Sequence, residues 1–281
     1  MLSDHIPQRI VSLQPSATVI LQAIGQLDRL VACTKYCVEV CPEAGSGRTI
    51  VHDSWTANSE QIAAVRPDLV IAAVPYQEKS VAEILKAGTR FLGLAPRSLA
   101  DIYVDVAAIA GITGVAERGE QVVGVIESQI DLARSQTSGL ERPRVFCEEW
   151  GKPLIRSQPW VAELVEAAGG TFLGEPGART SAENTKADDP DILIAAWCGA
   201  GDRVPLQKMI RDRAWGELRA VRAGRVFCIR DEFLNTPAPT LLQGLRALLG
   251  AIHPERFPRI DGLRCISDVS LESRAPNQTV V

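Results

Sequence analysis

Two short apolar runs, each opened by Pro-Asp, set the pattern of this chain. Pro67-Asp68-Leu69-Val70-Ile71-Ala72-Ala73 returns as Pro190-Asp191-Ile192-Leu193-Ile194-Ala195-Ala196, each time after a polar, helix-like stretch. Uninterrupted runs of Val, Ile and Leu of this length predict strands buried on both faces. The echo continues downstream, where Ala87-Gly88-Thr89-Arg90-Phe91-Leu92-Gly93-Leu94 resembles Ala223-Gly224-Arg225-Val226-Phe227-Cys228-Ile229. Both segments follow a helical pattern, turn at a glycine and enter another apolar strand. Upstream, Arg9-Ile10-Val11-Ser12-Leu13 and Arg144-Val145-Phe146-Cys147 supply partner strands. That alternation is the rhythm of parallel βαβ units, so each half predicts a small α/β domain.

From Val115 to Gln136 the period changes. Val122, Val123, Val125, Ile126, Ile130, Leu132 and Ala133 recur among Glu117, Arg118, Glu120, Glu127 and Asp131, and Ser138-Gly139 closes the run. The spacing predicts one long amphipathic helix. The expected architecture is therefore α/β: two lobes with mostly parallel sheets over residues 8–114 and 139–260, joined by the helical segment 115–138. Residues 261–281 are polar and patternless and read as a loose tail.

Composition narrows the function. The chain has 281 residues, enough for two lobes with their own cores, and 46% hydrophobic with 23% charged is ordinary for a globular protein. A net charge of −4 provides no general attraction to nucleic acid or to an anionic membrane, so neither is expected as a partner. No apolar run approaches the ~18 residues that span a bilayer. Met1 to Pro7 leads straight into the first strand without a basic or apolar leader segment, and seven cysteines, an odd number, fit a reducing compartment better than a disulfide framework. Both features point to the cytoplasm, or to a chain from which a leader has been removed.

Catalytic motifs are missing. There is no Gly-Lys-Ser/Thr phosphate loop, G-x-S-x-G elbow, H-E-x-x-H helix or dinucleotide glycine fingerprint. Adjacent Glu148 and Glu149 on a strand point to opposite faces, and one of them is expected to meet polar groups of a ligand. Cys33, Cys37 and Cys41 stand four apart, and Cys37 and Cys41 fall in a predicted loop. Thiolates are soft metal ligands, but this spacing matches no standard zinc or iron–sulfur signature; the plainer reading is of small buried hydrophobes. No enzyme activity and no required cofactor are expected.

As a set, Arg9-Ile10-Val11-Ser12-Leu13-Gln14-Pro15-Ser16-Ala17-Thr18, Ile24-Gly25, Leu30-Val31-Ala32, Pro67-Asp68-Leu69-Val70, the stretch from Trp160 to Gly170, and His253-Pro254-Glu255 resemble the cobalamin- and ferric-siderophore-type solute-binding proteins of ABC importers. The likeness is colinear over about residues 8–257. It implies two α/β lobes bridged by one long helix, a bulky metal-containing ligand (a corrinoid, a ferric siderophore or haem) clamped between the lobes, a monomer, and delivery to a membrane permease from the periplasm. A cytoplasmic relative that carries or senses a corrinoid or metal cofactor is the alternative.

The strand ends then place the candidates. Gln14, Pro15 and Ser16 follow the first strand, where Ser16 is either at the site or a plain helix cap. Trp55, Tyr76, Trp150, Trp197 and Phe233 lie at predicted strand ends or adjoining loops, and flat rings suit a broad planar ligand. Asp231 falls in the late ligand-site motif of the family, which carries arginine in other members. Through the resemblance, Glu78 and Glu183 are the candidate permease-docking carboxylates; as soft thiolates, Cys37 and Cys41 are the candidate metal ligands.

Overall fold

The structure, a computed structural model, describes residues 6–73 and 78–268. It divides into two compact units: residues up to Ser128 with Thr236–Thr240, and Gln129–Asn235 with the residues from Leu241 onward.

The first unit alternates strands and helices: β1 (Ile10–Ser12), α1 (Pro15–Ala23), β2 (Leu30–Cys33), α2 (Lys35–Val40), β3 (Thr49–Ile50), α3 (Ser59–Ala64), β4 (Leu69–Ala73), α4 (Glu78–Lys86), β5 (Arg90–Leu94) and α5 (Leu99–Ile112). The strands form one parallel sheet in the order β3-β2-β1-β4-β5. Successive side chains on a strand face opposite ways, and on the inner strands β1, β2 and β4 both sets are largely buried. On β4, Leu69 and Ile71 join Ile10, Ile20, Val106 and Ile109 in one cluster. Val70 and Ala72 join Val11, Leu13, Ile62 and Ile84 in another. Side chains of Thr34, Asn58 and Ser98 accept from the first-turn N–H groups of Cys37, Gln61 and Asp101 and so start α2, α3 and α5. Each cap stabilises by about 1 kcal/mol.

Helix α6 (Ala116–Thr137) covers the stretch expected to be one long helix, and the division between units falls within it, after Ser128. The second unit continues with β6 (Arg144–Gly151), β7 (Leu154–Arg156), α7 (Pro159–Ala167), β8 (Thr171–Phe172), α8 (Ala182–Asp188), β9 (Ile192–Ala195), α9 (Leu206–Asp212), α10 (Arg219–Arg222), β10 (Val226–Ile229), α11 (Glu232–Asn235), α12 (Leu241–Ile252) and β11 (Leu263–Cys265). Its six-stranded sheet runs β11-β10-β9-β6-β7, with β8 also beside β6. The pairs among β6, β8, β9 and β10 are parallel, while β7 and β11 are antiparallel additions. Phe146, Leu193, Ala195, Trp215, Val226 and Cys228 pack its core.

The Pro-Asp echo has a structural cause. The Asp68 carboxylate accepts from the N–H groups of Gln8 (2.7 Å) and Arg9 (2.9 Å), and its own N–H donates to the Arg9 carbonyl at 2.9 Å. Asp191 repeats this on Arg144, accepting from its N–H at 2.8 Å and donating to its carbonyl at 2.9 Å. In each unit the aspartate clamps the start of one strand to the start of its parallel neighbour, fixing register where the sheet begins.

Two stretches depart from expectation: Cys37, expected in a loop with Cys41, lies inside helix α2, which Cys41 ends. Leu263–Cys265, within the segment read as a loose tail, is a strand pairing antiparallel with β10. Leu263 and Cys265 are buried while Arg264 is only partly so, an alternation too short to register as a pattern. Among the described residues, no helix is long and apolar enough to cross a membrane.

Candidate functional site

In an open parallel sheet, a ligand settles outside the carboxyl ends of the strands, where the strand order reverses. Each unit has one such reversal: between β1 and β4 in the first, and between β6 and β9 in the second.

In the first unit, the turn after β1 carries Gln14 and Pro15. Gln14 occupies the cap position of α1 with extended backbone, and Pro15 opens the helix with its fixed φ. Ser16 lies inside the first turn and is buried, so it is not the helix cap. The loop after β3 is drawn to the same strand end, because the Ser54 N–H and hydroxyl both donate to the Leu13 carbonyl, at 3.1 and 3.0 Å. Next to that anchor Trp55 stands 47% exposed, its carbonyl accepting from the Ser80 hydroxyl of α4 at 2.6 Å. Tyr76 lies outside the described residues.

In the second unit, Glu148 and Glu149 part company as the strand period requires. Glu148 turns into the core and is 1% exposed. Arg213, at the end of α9, reaches both of its oxygens through Nη1, at 3.0 and 2.8 Å, and Trp197 Nε1 donates to Oε1 at 2.7 Å. The guanidinium lies over the rings of Trp215 and Trp197, 4.7 and 5.7 Å from their centroids, and Nη2 donates to the Gly151 carbonyl at 3.3 Å. Burial pushes the Glu148 carboxyl up against the opposing pull of Arg213. The Trp197 indole is thus tied into this network, with Gly151 close beneath it.

Glu149 faces the other way, toward α7. Its Oε1 accepts from Gln158 Nε2 at 2.6 Å, and its carbonyl accepts from the Cys198 N–H at 3.0 Å. Burial pushes its carboxyl up to about 7, with the Gln158 contact acting against that shift. Cys198 is exposed as a residue, and partial desolvation of its thiol by the surrounding protein, with the charges of Glu149 and Asp231, pushes it up to about 12. Asn235 Nδ2 reaches the Ala196 carbonyl at 2.7 Å and Cys198 Sγ at 3.3 Å, while its buried Oδ1 has no partner among the described residues. Glu149, Gln158, Cys198 and Asn235 therefore meet at the reversal between β6 and β9.

The remaining candidates are placed as follows. Trp150, at the end of β6, is 42% exposed and donates through Nε1 to the Lys152 carbonyl at 2.7 Å. Asp231 is engaged by its own unit, accepting from the N–H groups of Gly199 (2.8 Å) and Gly201 (2.7 Å). Phe233 lies beside Gly262, with the Arg230 guanidinium 5.6 Å from its ring. Glu78 and Glu183 are both exposed in the first turns of α4 and α8. Cys37 and Cys41 are buried in the core of the first unit with Cys33. Hydrogen bonds from Cys33, Thr18 and Thr34 lower the Cys37 thiol, and that same pairing raises Cys33. Among the described residues, no group of three or more His, Cys, Asp and Glu side chains is placed to hold a metal ion.

Gln158, Asn235 and Arg213 did not stand out in the sequence. Gln158 had a signal: Gln158-Pro159 opens α7 as Gln14-Pro15 opens α1, one more echo between the halves. Asn235 and Arg213 had none, because their partners are 37 to 65 residues away along the chain.

A profile of the periplasmic binding protein family matches residues 10–233. Over 254 residues the chain is 25% identical to a vitamin B12-binding protein of Vibrio cholerae, covering 87% of this chain and 89% of that protein. It is 23% identical to YvrC, an ABC transporter substrate-binding lipoprotein of Bacillus subtilis, covering 89% of this chain and 82% of YvrC. A periplasmic heme-binding protein of Pseudomonas aeruginosa shares the fold, with a TM-score of 0.82 at 20% identity, covering 92% of this chain and 98% of that one.

Proposed function

Because this chain belongs to the periplasmic binding protein family, we propose that it is the substrate-binding component of an ABC importer and that its cargo is a corrinoid of the vitamin B12 type. The observation that carries this reading is a pair of indoles. Trp55 and Trp150 stand 47% and 42% exposed, one in the loop anchored at the carboxyl end of β1 and one at the end of β6, in a chain with only 5% aromatic residues. A half-exposed tryptophan near a strand end forgoes apolar burial that a broad, flat ligand would supply. The colinear likeness to the Vibrio cholerae protein supports a corrinoid as that ligand. Gln14 and Pro15 border the same strand end as Trp55. Glu78 and Glu183 are the carboxylates that dock on the permease, where charge pairs steer encounter more than they hold the complex.

Alanine substitution of Trp55 or Trp150 tests the reading. Each is expected to weaken cyanocobalamin binding by about 1–3 kcal/mol with little change in melting temperature. A large loss of stability with unaltered binding would place that ring in a core instead.

A second reading, a corrinoid carrier of a reducing compartment, is favoured by one observation: all seven cysteines are free and six are buried. Fractionation of the producing cell separates the two.

A further inference from the structure

Glu149 and Gln158 stand side by side at the carboxyl end of β6, at the strand-order reversal of the second unit. One hydrogen bond, from Gln158 Nε2 to Glu149 Oε1 at 2.6 Å, joins them. It leaves Glu149 Oε2 and Gln158 Oε1 without a partner among the described residues, and neither is among the walled-off polar atoms. Cys198, across the backbone bridge from Glu149, and Asn235, bonded to Cys198 Sγ, complete the cluster. No cation among the described residues pairs with Glu149.

We propose that Glu149 and Gln158 form a subsite for a carboxamide group, the Glu149 carboxylic acid donating to the amide oxygen while Gln158 Oε1 accepts from the amide nitrogen. The inference rests on the reading of the cargo as a corrinoid, a macrocycle edged with carboxamides. A carboxylic acid beside an amide carbonyl offers one donor and one acceptor, the complement of a primary amide. An anionic ligand edge, such as a propionate, brings only acceptors and leaves Gln158 Oε1 facing lone pairs.

The proton needed for this is in place. Burial holds Glu149 up to about 7, so a large share of the protein carries the acid at neutral pH. The titratable groups that face it are Cys147 on its own strand face, raised by burial, and Cys198 on the loop after β9, raised by partial desolvation and the neighbouring carboxylates; both stay thiols at neutral pH. Asp231 lies beyond Cys198 and is occupied by Gly199 and Gly201. Binding through the acid form takes up a proton where the free protein has lost it.

Calorimetric titration with cyanocobalamin at pH 8, repeated in buffers of different ionisation enthalpy, reads that uptake. Wild type is expected to take up most of one proton, Glu149→Gln none, and Glu149→Leu is expected to bind at least tenfold more weakly. Glu232→Gln, altering another carboxyl raised by burial nearby, is expected to keep the uptake. Binding without proton uptake, or uptake that survives Glu149→Gln, overturns the subsite while leaving the cargo reading standing. If cyanocobalamin does not bind at all, the cargo reading falls, and the subsite is decided by NMR titration of the Glu149 carboxyl and the Gln158 side-chain amide with propionamide and with propionate. Shifts with propionamide alone support it. Equal shifts with both, or none with either, overturn it.

Discussion

Replacing Arg213 with methionine isolates what the buried ion pair of the second unit does. The pair is enclosed, with Glu148 and Arg213 side chains 1% and 12% exposed. Without the guanidinium, Glu148 must remain charged and uncompensated or take up a proton. Holding a carboxyl of ordinary value 4.5 in its protonated form at pH 7 costs about 3.4 kcal/mol, at about 1.36 kcal/mol per pH unit, and this caps the charge contribution. Loss of the stacking on Trp197 and Trp215 adds about 1 kcal/mol. Urea unfolding followed by tryptophan fluorescence should therefore show Arg213→Met losing about 3–4 kcal/mol at pH 7. At pH 5 protonation costs only about 0.7 kcal/mol, so the loss should shrink to about 1–2 kcal/mol. The double variant Glu148→Gln/Arg213→Met should recover most of the deficit at pH 7, because no charge is left behind. Equal losses at both pH values, or a single-variant loss under about 1 kcal/mol, would refute the reasoning.

Other outcomes follow from the same geometry. Glu149 has its carboxyl raised from 4.5 to about 7, so the folded state holds its proton longer than the unfolded chain, and stability falls as pH rises between those values. Glu149→Gln should be more stable than wild type above pH 7, by up to about 3 kcal/mol, and no more stable at pH 4. His253 shows the opposite sign: burial lowers it, so stability should fall as pH drops below 6.5, and His253→Gln should flatten the fall in urea midpoints between pH 7.5 and 5.5. Gly244 of α12 packs beneath the Phe233 carbonyl, so the Cβ of Gly244→Ala has nowhere to go and should cost about 1–3 kcal/mol by chemical unfolding.

Much of the framework was legible because it rests on local pattern. The paired Pro-Asp strands became β4 and β9, the glycine turns after them Gly88 and Gly224, both at positive φ, and the amphipathic stretch became α6. The antiparallel strands β7 and β11 were not legible, since each is three residues long and lies at or near an edge of the sheet, where a full hydrophobic alternation is not required. The site was less legible than the fold. Position along a strand placed Glu149 and the exposed Trp55 and Trp150 near strand ends. Whether a side chain faces outward or is spent on its own unit depends on partners far along the chain. Asp231 serves the Gly199–Gly201 loop, and Trp197 serves Glu148, 49 residues before it. Hydrophobic period carries no trace of either bond.

The central claim, that the protein binds a corrinoid, is tested most directly by calorimetric titration of the purified protein with cyanocobalamin, run beside haemin under the same conditions. The account predicts saturable one-to-one heat with cyanocobalamin and much weaker binding of haemin, whose propionates present no donor to Gln158. Saturable binding of haemin with no heat from cyanocobalamin would contradict it.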